Sequence, residues 1–274
     1  MKKLYVILML GLGIASLYAF QIRNLTPQEL EALSKQGSLD KALMHAIDNL
    51  DNDAVNKALS EGARPNIGLG HLIRTASKLD QTNEATINKA LAIISSLKRA
   101  DANLNQEMYI SELAEQMPGM MGMHGYIPSF PLLHAAIFYK VPPAIIEQLI
   151  SLGADIDKIS STFLRSSDSI AVTPLMMAAW QGNTTAFELL LRHGADFTIH
   201  NDLGHDVTRY INMSSKKDEL LKILETYKKE IHAAARAGTR TNPQGWGPSA
   251  SIVGEYLAGE LEQKTKEEQE EGEE

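Results

Sequence analysis

One stretch of the chain, residues 173–196, constrains the fold more than any other, because helix-start, turn and helix-stop signals follow one another there at short spacing. Thr173 can cap a helix, and Pro174 suits a first helical turn, where a missing N–H costs nothing. Gly182 and Gly194 supply left-handed positions that end helices. Small and apolar residues fill the two segments between these signals: Leu175, Ala178, Ala179, Leu189, Leu190 and Leu191. The pattern predicts two short, closely packed helices.

Three weaker copies of this pattern precede it. The nearest copy has Pro131 and His134 at its start, a proline pair in its turn and Gly153 at its end. The earliest begins near Leu43 and ends at Gly62. A degenerate copy lies between these two and ends with the Arg-Ala-Asp of residues 99–101 in place of Gly-Ala-Asp. The chain is therefore predicted to contain four helix-turn-helix units.

These residues resemble the ankyrin repeat, whose pattern runs Thr-Pro-Leu-His, two alanines, a glycine, a leucine run and Gly-Ala-Asp. Residues 173–202 follow the pattern without insertion or deletion, and Met176 replaces the usual histidine. The resemblance implies an all-α ankyrin-repeat solenoid of about four helix-turn-helix repeats, with short hairpin fingers and helical caps. Because no repeat covers its own apolar face, neighbours must stack and both ends need polar caps.

The spacing between the repeats predicts that some fingers are enlarged. The step from Gly62 to Arg99 is 37 residues, that from Arg99 to Gly153 is 54, and that from Gly153 to Gly194 is 41, against a repeat period of about 33. The first excess fits a longer helix-to-helix turn around residues 81–86. The other two fall between repeats, where insertions leave the stacked helices undisturbed.

Composition divides the chain into four predicted parts. Residues 1–19 are expected to form a signal peptide, 20–237 the ankyrin-repeat solenoid with capping helices, 238–251 a linker rich in glycine and proline, and 252–274 an acidic, disordered tail. The tail is acidic because 260–274 holds eight glutamates and only two lysines. It is expected to remain solvated, since it has few apolar residues to bury.

Two further segments of the solenoid are expected to close its ends. Residues 26–34 are predicted to form the first cap, because a threonine and a proline there precede leucines on one helical face. A last cap is predicted from the apolar positions Leu220, Leu221, Ile223, Leu224 and Ile231. Before it, a fifth unit begins at 201–204 but does not recover the threonine-proline-leucine pattern at 206–211.

The N-terminal residues predict export. Lys2 and Lys3 precede an apolar stretch, 4–14, and small residues follow up to Ala19, which is the order found in secretory signal peptides. The mature chain is expected to begin near Phe20 and to reach the periplasm or the medium, with no stable membrane insertion after cleavage. The alternative is an uncleaved anchor, because the apolar run of 4–20 is at the short limit of about 17 residues for a bilayer span.

Charge and cysteine content exclude several classes of function. The chain has 26 Lys and Arg against 34 Asp and Glu, a formal net charge of -8, so we expect no nucleic-acid partner. With no cysteine, it has no disulfide, thiol nucleophile or zinc-thiolate site. The sequence contains no phosphate loop, serine elbow, HExxH pair or dinucleotide turn. The prediction is a protein that is not an enzyme and carries no catalytic residue or cofactor.

Two groups of polar residues are interpreted as structural. Asp48, Asp51 and Asp53 lack the glycine and the distal glutamate of a calcium loop, so they are assigned to turns and caps. Three histidines, His193, His200 and His205, are close in sequence, but the repeat template separates them, so we expect no metal site there. His45 and His134 are expected to be packed repeat histidines.

The insertion before the third repeat, residues 117–125, supports a second hypothesis. Thioether and imidazole ligands suit Cu(I), and this segment contains five such side chains: Met117, Met120, Met121, Met123 and His124. An exported metal-handling protein is therefore the alternative to a binding module. The competing interpretation, which we favour, is a flexible loop whose methionines cover an apolar surface or contact a partner.

The resemblance also implies where a partner binds. In ankyrin proteins the concave face, made of finger tips and the first helix of each pair, is the usual binding surface. Carried onto this sequence, it comprises Phe138, Tyr139, Met177, Trp180, Gln181, Asp202 and Leu203. Aromatic residues are frequent binding anchors. For Trp180 there are two readings, a binding anchor or a side chain lying on the neighbouring repeat.

The expected function is that of a protein-protein interaction module. An exported ankyrin-repeat protein of bacterial type would bind a partner protein through its concave face and enlarged fingers, and it resembles secreted effectors that contact host proteins. The partner is unknown, and host proteins are among the candidates. A membrane-tethered scaffold is the alternative if the signal is not cleaved.

Overall fold

In the computed structural model, the described residues are 26–109, 129–160 and 171–236. Within these ranges the chain forms ten α-helices and a two-stranded sheet. The helices are α1 (Pro27–Asp48), α2 (Asn52–Ser60), α3 (Pro65–Ala76), α4 (Glu84–Arg99), α5 (Leu132–Phe138), α6 (Pro143–Ser151), α7 (Pro174–Trp180), α8 (Thr184–Arg192), α9 (Val207–Met213) and α10 (Lys217–Arg236). The strands are β1 (Glu107–Tyr109) and β2 (Ser129–Pro131). The predicted linker, tail, signal peptide and methionine-rich loop lie outside the described residues.

The helices form five consecutive antiparallel pairs. The first helices α1, α3, α5, α7 and α9 pack side by side in one row, which we call the inner row, and the second helices α2, α4, α6, α8 and α10 pack in an outer row. Each pair therefore contacts the next through both of its helices, as a repeat stack requires. This arrangement confirms the all-α solenoid.

The stack contains one helix pair more than the four predicted units. The fifth pair is made of α9 and α10, so the degenerate segment at 206–211 and the predicted last cap combine into a complete unit. Asp206 starts α9 without a threonine, because its carboxylate accepts hydrogen bonds from the N–H groups of Thr208 and Arg209 at 3.0 and 3.3 Å.

At the other end, the predicted first cap and the first repeat helix are one continuous helix. Thr26 caps α1: its Oγ1 accepts a hydrogen bond from the Glu29 N–H at 3.3 Å, and the Glu29 carboxylate accepts one from the Thr26 N–H at 2.6 Å. This reciprocal cap fixes the start of the helix. Residues 26–35 are all exposed, and burial begins around Gly37, so the first turns of α1 extend past the stack.

Close packing between pairs depends on a glycine in α3. A Cβ added at Gly68 would lie 2.8 Å from Leu43 Cδ2 and 2.9 Å from Leu97 Cδ2, and both leucines are fully buried. Gly70, two residues later on the same helix, has more room, since its added Cβ would be 3.7 Å from Met108 Cε. Gly68 therefore lets α3 approach α1 and α4 closely.

The structure corrects the register of the second repeat by two residues. The left-handed position that follows each second helix is occupied by Gly62, Asp101, Gly153 and Gly194. The alanine after it donates its N–H back to the preceding helix in each case, and Ala102 does so to Leu97 O at 3.0 Å. The repeat therefore ends Asp-Ala-Asn at 101–103, and the Arg-Ala-Asp of 99–101 only imitates the pattern.

No helix within the described ranges combines the length and the apolar character that crossing a bilayer requires.

Candidate protein-interaction surface

The two strands pack against the inner row at α3 and α5. β1 and β2 pair antiparallel, with Met108 opposite Phe130, and both strands contact α5. Met108 and Phe130 are buried, Met108 lies in van der Waals range of the position a Cβ would take on Gly70, and the Phe130 ring centroid is 6.1 Å from that of His134. The hairpin therefore occupies part of the face on which a partner was expected to bind.

Two of the seven predicted surface residues, Phe138 and Met177, are buried. All residues of α5 are buried, including Phe138 at 7% exposure. In α7 every residue before Trp180 is buried, and Met177 is 1% exposed. Phe138 and Met177 contribute to the core and present no area to a partner in this conformation. The candidate surface therefore consists of the other five residues.

Three of these five, Tyr139, Trp180 and Gln181, lie at the C-terminal ends of inner-row helices and are half-buried. The Tyr139 ring stands edge-on to Phe138 with centroids 5.4 Å apart, and its hydroxyl accepts a hydrogen bond from Arg74 Nε at 3.4 Å. Trp180 packs partly against the core and is partly exposed. The structure is therefore compatible both with a binding anchor and with a side chain that lies on the neighbouring repeat.

The other two, Asp202 and Leu203, are exposed at the tip of the fourth finger, between α8 and α9. This finger is a tight turn: Asn201 N–H donates to His205 O at 3.0 Å, and Gly204 N–H donates to Asn201 O at 2.8 Å. Leu203 is 48% exposed. An apolar side chain is thus displayed on a hydrogen-bonded turn.

Asn201 holds this finger in place, and the sequence reasoning did not single it out. The side chain is buried, and its Oδ1 accepts hydrogen bonds from the N–H groups of Leu203 and His205 at 3.0 and 2.9 Å. Its Nδ2 donates to Ala171 O at 3.1 Å and to Tyr210 Oη at 2.9 Å. An Asn-Asp-Leu-Gly sequence favours such a side-chain-stabilised turn, which is the signal that could have identified it.

His134 fixes the base of the third finger, which is the segment between α6 and α7. It is fully buried, and its Nε2 lies 2.7 Å from Val172 O, which requires the Nε2–H tautomer as donor. Its Nδ1 has no hydrogen-bond partner. Burial lowers the pKa of His134 to about 4, so the ring is neutral at pH 7. His134 is packed as predicted, whereas His45 is exposed near the end of α1.

The three clustered histidines do not converge. His193 Nε2 lies 3.6 Å from Glu147 Oε1, His200 is exposed and His205 is half-buried. Among the described residues, no group of three or more His, Asp or Glu side chains is arranged to hold a metal ion. The five candidate Cu(I) ligands at 117–124 belong to the part of the chain that is not described.

Comparison with known families agrees with this architecture. The ankyrin repeat family model matches residues 172–202, which span α7, α8 and the start of the fourth finger. Among curated proteins, none matches the chain. The family match, together with the repeated helix pairs, supports an ankyrin-repeat protein, and ankyrin repeats serve in general as protein-protein interaction modules.

Proposed function

We propose that this protein binds a partner protein through the fourth finger and the C-terminal end of α7, without catalysing a reaction. Ankyrin repeats are typically non-enzymatic interaction modules, and no catalytic motif in the sequence argues otherwise. The central contacts would be Leu203 and Asp202 at the finger tip, with Trp180 and Gln181 at the other end of the same helix pair.

The observation that carries this proposal is the anchoring of the fourth finger by Asn201. A loop that is already ordered loses little conformational entropy when it binds, so more of its contact energy appears as affinity. Here Asn201 contributes four hydrogen bonds that tie the turn to the third finger and to α9. The exposed Leu203 is therefore held in position before any partner arrives.

Trp180 and Gln181 are proposed as a second contact region. α7 has seven residues, so its two ends are separated by about 10 Å at 1.5 Å per residue. The finger precedes α9, which packs against α7. A partner lying along α7 could reach both the finger and the tryptophan, and the exposed part of the Trp180 ring offers a large apolar area at small entropic cost.

We also propose that the chain is exported, as its N-terminal sequence predicts, and that its partner is met outside the cytoplasm, whether in the envelope, the medium or a host cell. The support is the order of charged, apolar and small residues in 1–19. Sequencing the N-terminus of the protein from the soluble extracytoplasmic fraction tests this. A start near Phe20 is expected, and a start at Met1 would contradict cleavage.

The binding surface can be tested by site-specific photo-crosslinking. A photoreactive residue at position 203 is expected to give a discrete adduct, because Leu203 would be at the centre of the contact. The matched control is position 213, since Met213 is 59% exposed but lies at the opposite end of α9. Equal adducts from both positions would contradict the proposed surface.

A second variant tests whether the order that Asn201 gives the finger contributes to binding, separately from the contact made by Leu203. Asn201→Ala, combined with the photoreactive residue at 203, removes the side-chain bonds of the finger while leaving Leu203 exposed. The adduct yield is expected to fall several-fold while circular dichroism still reports the helical stack. An unchanged yield in a folded variant would show that finger order does not contribute.

A further inference from the structure

The loops that follow the second helices are joined by a ladder of hydrogen bonds. In each, a backbone N–H donates to the side chain of an Asp or Asn earlier in the chain. Asn103 N–H donates to Asn66 Oδ1 at 2.7 Å, Asp155 N–H to Asn105 Oδ1 at 2.8 Å, and Asp196 N–H to Asp157 Oδ1 at 2.8 Å. At the start of the ladder, Arg64 N–H donates to Asp40 Oδ1 at 2.9 Å.

The four acceptors of this ladder differ in charge and in whether a cationic side chain pairs with them. Asn66 and Asn105 are neutral amides. Asp40 is ionised but compensated, because Arg64 donates from Nε at 2.8 Å and from Nη2 at 2.6 Å to its second oxygen. Although burial opposes it, this pairing holds the pKa of Asp40 below its usual range. Asp157 is a carboxylate that forms no ion pair with lysine or arginine among the described residues.

The groups that face Asp157 are mostly acidic. Its own loop contributes Asp155, whose Oδ1 accepts the Asp157 N–H at 3.1 Å, and the next loop contributes Asp196. From α10, Tyr227 lies close enough to interact with Asp157 and is a neutral phenol, because burial raises its pKa to about 12, while Lys228 lies over the Phe197 ring, 5.8 Å from its centroid. Lys158 is the neighbour in sequence. The negative charge at Asp157 is therefore held close to two further carboxylates.

From this geometry we propose that the joint between the loops after α6 and α8 is a pH-dependent link, which tightens when Asp157 takes up a proton. Protonation removes a partly buried negative charge next to Asp155 and Asp196, and this gain outweighs the weaker hydrogen bond that a neutral carbonyl oxygen then accepts from the Asp196 N–H. The link then resembles the amide links at Asn66 and Asn105. Acidification would thereby strengthen the attachment of the fourth finger, independently of whether that finger binds a partner.

The direction of the pH dependence follows from the pKa of Asp157. Burial and the repulsion from Asp196 and Asp155 raise this pKa to about 6, although the Asp196 N–H bond opposes the change. A carboxyl whose pKa is higher in the folded than in the unfolded chain contributes stability at low pH. That contribution is lost as the pH rises from about 4 to about 6, and it is absent at neutral pH.

Asp157→Asn tests the link, because asparagine keeps the acceptor and cannot ionise. We expect the variant to be more stable than the wild type at pH 7.5, by about tenfold or more in the unfolding equilibrium constant measured in urea, and the two proteins to become equal near pH 4. Asp202→Asn is the matched control, since Asp202 is an exposed carboxylate on the neighbouring finger, and it should change stability at neither pH.

Two direct measurements on the wild type complete the test. The carboxyl-carbon NMR resonance of Asp157 is expected to titrate near pH 6, and exchange of the Asp196 amide, corrected for its intrinsic pH dependence, to slow several-fold between pH 7.5 and 5. An Asp157 titration near pH 4, or a stability difference from Asp157→Asn that is the same at pH 4 and 7.5, would overturn the proposal.

Discussion

The first two helix pairs are held together by interactions that differ from those between the third and fourth pairs. Between the first pairs, Gly68 allows direct apolar contact, and the one buried carboxylate, Asp40, is neutralised by Arg64. Between the third and fourth pairs, the titratable groups removed from solvent are the buried His134 and the half-buried Asp157, and neither has an ion-pair partner among the described residues. The first region thus compensates its buried charge, whereas the second contains two groups without an ion-pair partner whose pH effects oppose each other.

A substitution at His134 is expected to change the pH dependence of stability most. In an Asp157→Asn background, acidification from pH 6.5 to 4 should lower the free energy of unfolding by about 3 kcal/mol. The reason is that the histidine of the unfolded chain is protonated below pH 6.5, whereas the buried His134 ring stays neutral until about pH 4. Replacing His134 by Met, the residue found at the equivalent position 176, should remove this loss. Urea unfolding at several pH values measures it, and equal pH slopes would refute the assignment.

The same reasoning predicts that the wild type responds little between pH 6 and 4. His134 destabilises the fold as the pH falls through this range, whereas Asp157 stabilises it, so the two contributions largely cancel. Each single variant should therefore reveal the contribution of the other residue. A wild-type stability that falls as steeply as that of Asp157→Asn would show that the opposition is absent.

A smaller change in stability is expected from substitutions that test the close packing of the first pairs. Gly68→Ala should destabilise the fold by about 1–2 kcal/mol, because its methyl group must displace fully buried leucines and the helical preference of alanine offsets only part of that cost. Gly70→Ala, on the same helix, has room for the methyl group and should be neutral or stabilising by up to about 1 kcal/mol. Thermal unfolding of the pair, compared at fixed pH, distinguishes them.

The smallest effect concerns turns that occur in both regions. Leu50 and Lys140 have φ values of +50° and +52° at the turn position that Gly182 occupies in the fourth pair. Lys140 is exposed, so Lys140→Gly should relieve left-handed strain and stabilise by about 1 kcal/mol, which is a rise of a few degrees in Tm. Leu50→Gly should gain less or lose stability, because Leu50 also packs against the core. A lower Tm for Lys140→Gly would contradict the strain argument.

The parts of the fold that the sequence predicted are those with local signals. Thr173, Pro174, Gly182 and Gly194 act through their own backbone preferences, and the fourth repeat was recognised from them. The second repeat was misread by two residues because Asp101 adopts φ +67° where the other repeats have glycine. The fifth pair was only half recognised, since Asp206 performs the capping that threonine performs elsewhere.

The candidate site was less predictable because it depends on contacts between distant segments. Phe138 and Met177 were expected at the surface from their repeat positions, and nothing local shows that they are buried. The hairpin that covers part of α5 has strands of three residues, too short to give an alternating pattern. Asp202 and Leu203, which were predicted as partner contacts, are exposed, since a finger tip is a local feature.

Among the described residues, the last rung of the ladder is the bond from the Asp196 N–H to Asp157. Asn66, Asn105 and Asp157 each stand two residues after the donor of the preceding rung, and the corresponding position after Asp196 is Thr198. The Thr198 N–H and hydroxyl both donate to Asp196 within their own loop, at 2.8 and 2.6 Å. A further repeat inserted after this loop would therefore need an Asn or Asp at position 198 to continue the ladder in the same way.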